Sequence, residues 1–248
     1  MPYRRQIVRA LCVLGGIVVA QVVLYGPSLS GHKLLLPLDV LQLHLPRDNA
    51  STIPARFDTS YSDLVLSIGV MRVRALHEVR SGRIPLWDPD NYAGAPFVAN
   101  NVSAVFSPFR AIEYLFPSPV TIAWVQLVKA IVAGTGAYLF FRRALRVRWW
   151  PAAIGAWCFP LIGFLVLWQG FGSSSVVAWM PWVLIATDGS LRRPAGWSGP
   201  GLGVATACVL LSGHLADAAL VLLASGVYAA WHFLARRGWA GLCRWREL

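Results

Sequence analysis

Two acidic residues in the most polar stretch of this chain could bind a cation. Asp88 and Asp90 flank a proline directly after Trp87, so two carboxylates lie two positions apart in a turn. Carboxylate oxygens at this spacing could hold a divalent ion such as Mg²⁺ or Mn²⁺. Alternatively, both acids bond to nearby backbone amides and fix the shape of the loop. The sequence favours the turn and leaves any cofactor undetermined.

Three further side chains could contact a ligand. Trp87 could stack on a sugar ring, although the sequence favours an indole anchored at a membrane interface. Lys129 stands inside an apolar run, and insertion of a lysine at the centre of a membrane helix costs roughly 3 kcal/mol. Its side chain therefore either meets a polar partner or snorkels outward. His214 precedes Asp217 by three residues. That pair either lines a site or caps a helical hairpin.

The chain around these residues is apolar enough to predict a membrane protein. Hydrophobic residues make up 56% of the sequence, charged residues only 13%, and the mean hydropathy is +0.56. Soluble domains contain about 25% charged residues. We therefore predict an all-α, polytopic membrane protein whose residues 1–248 form a single membrane domain.

Six apolar runs predict six transmembrane helices. The first run follows two arginines and could be a cleaved signal peptide, but its length favours an uncleaved helix. A long polar loop, residues 26–118, separates it from the other helices, which fill residues 119–248. Pro160 should kink the third helix. The six predicted spans are residues 10–25, 119–141, 151–168, 176–187, 201–212 and 218–234.

Basic residues predict the orientation of these helices in a bacterial plasma membrane. If the N-terminus is cytoplasmic, the inner segments carry 13 basic residues, whereas the loop 26–118 carries eight basic and eight acidic residues. Positive charge marks cytoplasmic segments. We therefore predict cytoplasmic N- and C-termini and an extracytoplasmic first loop. The net charge of +11 reflects topology and gives no reason to expect nucleic acid as a partner.

The loop 26–118 is too long for a simple connection and should contain short helices. Residues 63–80 have apolar side chains at helical spacing, which predicts an amphipathic helix capped by Ser62. Such a helix could lie on the membrane surface with its apolar side down. Ser107 and Pro108 predict the start of a second short helix.

Several motifs in this loop and beyond it resemble one known family. An aspartate, Asp63, stands 19 residues before the run GRIPLWDP, and AWMPWVLIA and LLSGHLADAAL follow in later spans. This pattern resembles the bacterial YfhO-like membrane proteins of the GT-C class, glycosyltransferases that use polyprenyl-phosphate sugars. Family members are several hundred residues longer, so the chain resembles their N-terminal part. They more often have asparagine where this chain has Asp88.

The resemblance implies a GT-C-like fold and a set of site residues. Asp63, by its spacing to the GRIPLW block, would be the base that takes a proton from the acceptor hydroxyl, with Asp39 as second choice. A phosphate leaving group needs positive charge. The candidates for substrate binding are Arg72, Arg83, Trp87, Asp88, Asp90, Lys129 and His214.

The function that we predict is transfer of a sugar from a polyprenyl-phosphate lipid to an extracytoplasmic acceptor of the cell envelope. Two alternatives stay open at this point. The chain could be a transporter or flippase of a lipid-linked precursor, as short or kinked spans would suit. It could also be an incomplete, non-catalytic membrane fragment that needs a missing C-terminal membrane part as its partner.

Overall fold

Helices account for most of the structure, a computed structural model that describes residues 2–40, 61–91, 93–192 and 198–237. This confirms the predicted all-α class. The described α-helices are α1 (Pro2–Leu29), α2 (Asp63–Leu66), α3 (Ile68–Arg80), α4 (Pro108–Leu115), α5 (Thr121–Leu139), α6 (Trp149–Cys158), α7 (Gly163–Leu167), α8 (Gly172–Arg192), α9 (Ser198–Leu210) and α10 (Leu215–Arg237).

Four stretches of helix in the described part of the chain are long and apolar enough to cross a membrane. A span of this kind needs about 20 apolar residues, and these four are compatible with a membrane protein. Helices α8 and α9 occupy the two remaining predicted spans, and α8 is longer than its apolar run because serines form its first turn. The four stretches are Arg4–Leu29, Thr121–Ala144, Trp149–Leu167 and Leu215–Ala235.

The third apolar stretch is broken at the expected proline. Helix α6 ends at Cys158, a 3₁₀ turn covers Phe159–Leu161, and α7 begins at Gly163. Pro160 is buried within that turn. Proline has no backbone N–H and its ring clashes with the preceding turn, so a continuous α-helix cannot pass through it. The predicted kink is confirmed as a break between two helices.

Helix α8 lies at the centre of the later bundle, packed against α5, α9 and α10. Its buried Val176 and Val183 join Val209 of α9 and Val221 of α10 in one apolar cluster. A second cluster joins α1 to α5 and α6. Small residues allow these helices to approach, which is the usual basis of helix packing in membranes.

Gly134 shows how close the approach between α1, α5 and α6 is. A Cβ atom at this position would lie 2.6 Å from Ile17 Cδ1 and 2.8 Å from the backbone oxygen of Ala156. The first atom can move with its side chain, but the carbonyl belongs to α6 and cannot move alone. The close packing of the three helices therefore requires glycine at position 134.

The segment between α1 and α5 has its own small core. The apolar stripe of α3 packs through Ala75 on Phe97 and Val105, and Met71 and Val79 border the same cluster. The expectation that this stripe lies on the membrane surface is therefore wrong, because the loop supplies a protein surface to cover it. The predicted helix 63–80 is also interrupted at Ser67, between α2 and α3.

A short hairpin and α4 complete this segment. Strand β1 (Trp87–Asp88) pairs antiparallel with β2 (Ala95–Pro96). Helix α4 begins with Ser107 before it and Pro108 in its first turn, as predicted. The Asn101 side chain donates to the Leu210 carbonyl at 3.1 Å, which ties the segment to the end of α9.

Substitution of Gly134 tests the packing of α1, α5 and α6. We expect Gly134→Ala to destabilise the protein by about 1–3 kcal/mol, the usual cost of overpacking a core. Gly203→Ala in α9 is the matched control, because a Cβ there meets nothing within 4 Å. It should leave stability unchanged or raise it slightly, since alanine favours helix over glycine. Thermal unfolding of both variants in detergent measures the difference, and equal stabilities would contradict the packing argument.

Candidate functional site

A groove of about 1180 Å³ lies in the segment before α5. Helices α2 and α3 form one side, and the start of the hairpin and the chain before α5 form the other. Its wall is mostly apolar but includes six charged side chains that point to a polar or ionic ligand group. Those side chains are Arg72, Arg74, Glu78, Asp88, Asp90 and Glu113.

Arg74 binds both aspartates of the hairpin. Its NH1 group lies 3.0 Å from Asp88 Oδ1 and 2.5 Å from Asp90 Oδ2. The backbone N–H of Asp90 also donates to Asp88 Oδ1 at 3.2 Å, the bond of an aspartate-stabilised turn. A guanidinium therefore occupies the position between the carboxylates that a divalent ion would need.

Asp88 and Asp90 have no further metal-binding side chain beside them among the described residues. Among the residues that the structure describes, no group of three or more His, Cys, Asp or Glu side chains could hold a metal ion. Mg²⁺ and Ca²⁺ are usually held by several oxygen ligands. Asp88 and Asp90, paired with Arg74, do not fit such a site.

Glu113 forms the centre of a buried ionic network. Its Oε2 atom lies 2.9 Å from Arg72 Nε and 2.8 Å from Arg110 NH1. Arg110 also donates to the Ser103 carbonyl at 3.4 Å. Burial lowers the pKa of Arg72 to about 10, opposed by the charge of Glu113 and assisted by that of Arg110. Arg72 is therefore still charged at neutral pH, and one carboxylate serves two arginines.

Lys129 of α5 lies close behind this network. Its side chain is buried, and Nζ donates to Ser174 Oγ of α8 at 3.0 Å. Nζ also lies 5.9 Å from the centre of the Phe109 ring, within the range of a cation–π contact. Lys129 thus has a polar partner inside the protein, and the alternative of a side chain that snorkels to the membrane surface is wrong.

Asp63 does not join the charged network. Asp63 is the first residue of α2 and is exposed, and it does not line the groove, although the next residue, Leu64, does. Asp39 lies in a 3₁₀ turn, Leu38–Val40, and its side chain is outside the described part of the structure. Their proposed role as the base stays a prediction.

Two other predicted contacts lie on the surface. Arg83 is 59% exposed and pairs with Glu78 at 2.8 Å. Trp87 is 54% exposed, and its indole covers Gly94, whose φ of +103° is open to glycine alone at little cost. Both interpretations of this tryptophan stay open.

His214 precedes the first residue of α10, and its Nδ1 lies 2.8 Å from Asp217 Oδ2. The Asp217 backbone N–H points at the same nitrogen at 3.4 Å, as in a helix cap. His214 does not line the groove. The hairpin cap is therefore the interpretation that this geometry favours.

Sequence reasoning missed Glu113, Arg110 and Arg74 as site residues. A signal for the first two exists, because a charged pair three residues apart in an otherwise apolar short helix faces one direction. Arg74 gave no such signal, since its partners come 14 and 16 residues later in a turn.

Comparison of this chain with family models, curated proteins and solved structures gave no match. The likeness to the YfhO-like proteins therefore stays a prediction from the motifs described above. What the fold and the groove define is a helical protein with membrane-length helices and a charged groove beside them.

Removal of the charge on Glu113 tests the buried network. Glu113→Gln keeps the shape of the side chain but leaves two buried arginines without a counter-ion, so we expect a loss of about 3–5 kcal/mol. Glu78→Gln is the matched control, because it breaks an ion pair whose arginine is mostly exposed. Such pairs contribute little. Unfolding in detergent measures both, and similar losses would contradict a central role for Glu113.

Proposed function

We propose that this protein is a membrane glycosyltransferase, or the N-terminal part of one, that uses a polyprenyl-phosphate sugar. The groove carries the proposal, because it combines a large apolar wall with arginines and carboxylates. A lipid-linked donor needs apolar contacts for its chain, positive charge for its phosphate and an acid near its sugar. The motifs that resemble the YfhO-like family support the same chemistry.

The proposal includes six spans with both termini on the cytoplasmic side of a bacterial plasma membrane. The excess of arginine in the segments assigned to that side supports this orientation. Groove residues Ser118, Pro119 and Ile122 lie at the start of α5. In this topology the groove opens at the outer end of α5, where a lipid phosphate from the outer leaflet can reach Arg72 and Arg74.

Two acids are candidates for the catalytic base. Asp63 is the candidate from the motif spacing, whereas Asp90 lies in the wall of the groove and is 82% exposed at its side chain. Glu113 is less suited, because two arginines already share its oxygen. We propose Asp90 as the acid that an acceptor hydroxyl meets in the groove, with Asp63 as its competitor.

The groove arginine is the first residue to test. Membranes that contain the full chain are incubated with a polyprenyl phosphate carrying a tritiated hexose, and transfer to endogenous acceptors is counted. Arg74→Met should lower transfer by at least roughly tenfold, since one charged contact to a phosphate is worth about that much. Arg80→Met is the control, because Arg80 is exposed on the same helix and does not line the groove. Equal transfer by both variants would contradict the proposed donor site.

The two candidate bases are separated by the same assay. Asp90→Asn should lower transfer by roughly 10²-fold or more, the usual contribution of a general base. Asp63→Asn should have a smaller effect if the groove is the reaction site. The reverse order would assign the base to Asp63, and unchanged transfer in both variants would exclude both carboxylates.

Transport of a lipid-linked precursor is the second candidate function. The break between α6 and α7 and the buried Lys129 favour it, because transporters often have interrupted helices and intramembrane charges near their substrate. Proteoliposomes with a fluorescent polyprenyl-phosphate lipid would measure flipping between leaflets. Flipping that survives Asp63→Asn and Asp90→Asn, without sugar transfer in wild type, would favour the transporter.

A further inference from the structure

A second, much smaller cavity lies behind the Arg72–Glu113 ion pair. Its volume is about 20 Å³, enough for one particle of the size of a water molecule. Residues of α3, α4 and α5 and the start of α8 line it. Four charged side chains line it, namely Arg72, Arg110, Lys129 and Glu113.

The charges around this small cavity do not balance. Three of the four charged side chains are cationic, and Glu113 is the only carboxylate in the wall. Arg110 and Lys129 are only 6% and 4% exposed. Solvent therefore cannot screen the excess charge, and buried charges of this kind are costly without a counter-ion.

Lys129 also has unused hydrogen-bonding capacity. An ammonium group has three donors, and Nζ has a hydrogen bond to Ser174 Oγ alone among the described residues. Ser174 in turn donates its own hydrogen to the Phe171 carbonyl. No ion pair joins Lys129 to a carboxylate of the described residues. The ammonium therefore lacks an anion.

Uncharged donors complete the wall. Helix α8 begins at Gly172, and both Gly172 and Ser175 line the cavity. A Cβ at Gly172 would lie 2.6 Å from the Gly213 carbonyl oxygen, so glycine lets the α9–α10 turn close over this helix start. Free amides and the helix dipole favour a negative charge at such a position.

We propose that this cavity binds one small monovalent anion, with chloride as the physiological ion. The anion would lie among Lys129, the two arginines and the start of α8, and would compensate part of the excess charge. A cavity with room for a single small particle excludes phosphate and lipid headgroups. The inference does not depend on sugar transfer, because it concerns a structural ion behind the groove.

Thermal unfolding of the purified full chain in detergent tests this proposal. Chloride is exchanged for gluconate at constant ionic strength, so that screening of surface charge does not change. We expect the unfolding temperature to rise with chloride and to level off, as linkage requires for a ligand that binds only the folded state. Bromide should replace chloride, and inorganic phosphate should not.

Three variants test whether the chloride dependence of the unfolding temperature arises from this cavity. Lys129→Met removes the charge and should abolish the chloride dependence, whereas Arg80→Met, which removes an exposed charge of α3, should retain it. Ser175→Ala keeps every charge and should raise the chloride midpoint roughly tenfold, as for one hydrogen bond to an ion. If Lys129→Met does not fold, the chloride midpoint of Ser175→Ala tests whether the ion lies in this cavity.

Three outcomes would overturn the proposal. Equal unfolding temperatures in chloride and gluconate would mean that Lys129 is uncharged and needs no anion. Stabilisation by phosphate or by vesicles of an anionic phospholipid, but not by chloride, would assign the cations to a larger ligand. Chloride dependence that survives in Lys129→Met and is unchanged in Ser175→Ala would place the ion elsewhere.

Discussion

The rest of the charged structure depends on the bond between Glu113 and its two arginines. Arg72 belongs to α3 and Arg110 to α4, so one carboxylate holds two separate helices of the segment before α5. An arginine in this position could not stay buried without a counter-ion. The same interaction gives the groove its inner wall, because Arg72 and Glu113 line both cavities.

The outer part of the groove is built by a different arginine. Arg74 reaches across to the hairpin and fixes Asp88 and Asp90, although its own helix packs on the loop core through Ala75. Arg72 and Arg74 are two positions apart. Arg72 forms a buried ion pair with Glu113, whereas Arg74 forms an ion pair with the exposed Asp90. The hydrophobic core under α3 lets both point to the same cavity.

Some of this architecture could be predicted because its causes are local. Length and composition predicted the apolar helices, Pro160 predicted the break after α6, and Ser107 with Pro108 predicted the start of α4. The site could not be predicted in the same way. Arg72 and Glu113 are 41 positions apart, and only tertiary packing brings them together. The apolar stripe of α3 likewise gave no indication whether lipid or protein would cover it.

The contact between Lys129 and Ser174 has a consequence for synthesis of the chain. Its two partners lie 45 residues apart, and the hydroxyl belongs to the later helix. At translation rates of about 5–20 residues per second, α5 exists for roughly 2–9 s before Ser174 is made. During that interval the Lys129 ammonium lacks the Ser174 hydroxyl that accepts its hydrogen bond in the folded protein. The buried site of Lys129 can therefore be completed only after α8 has been made and has packed against α5.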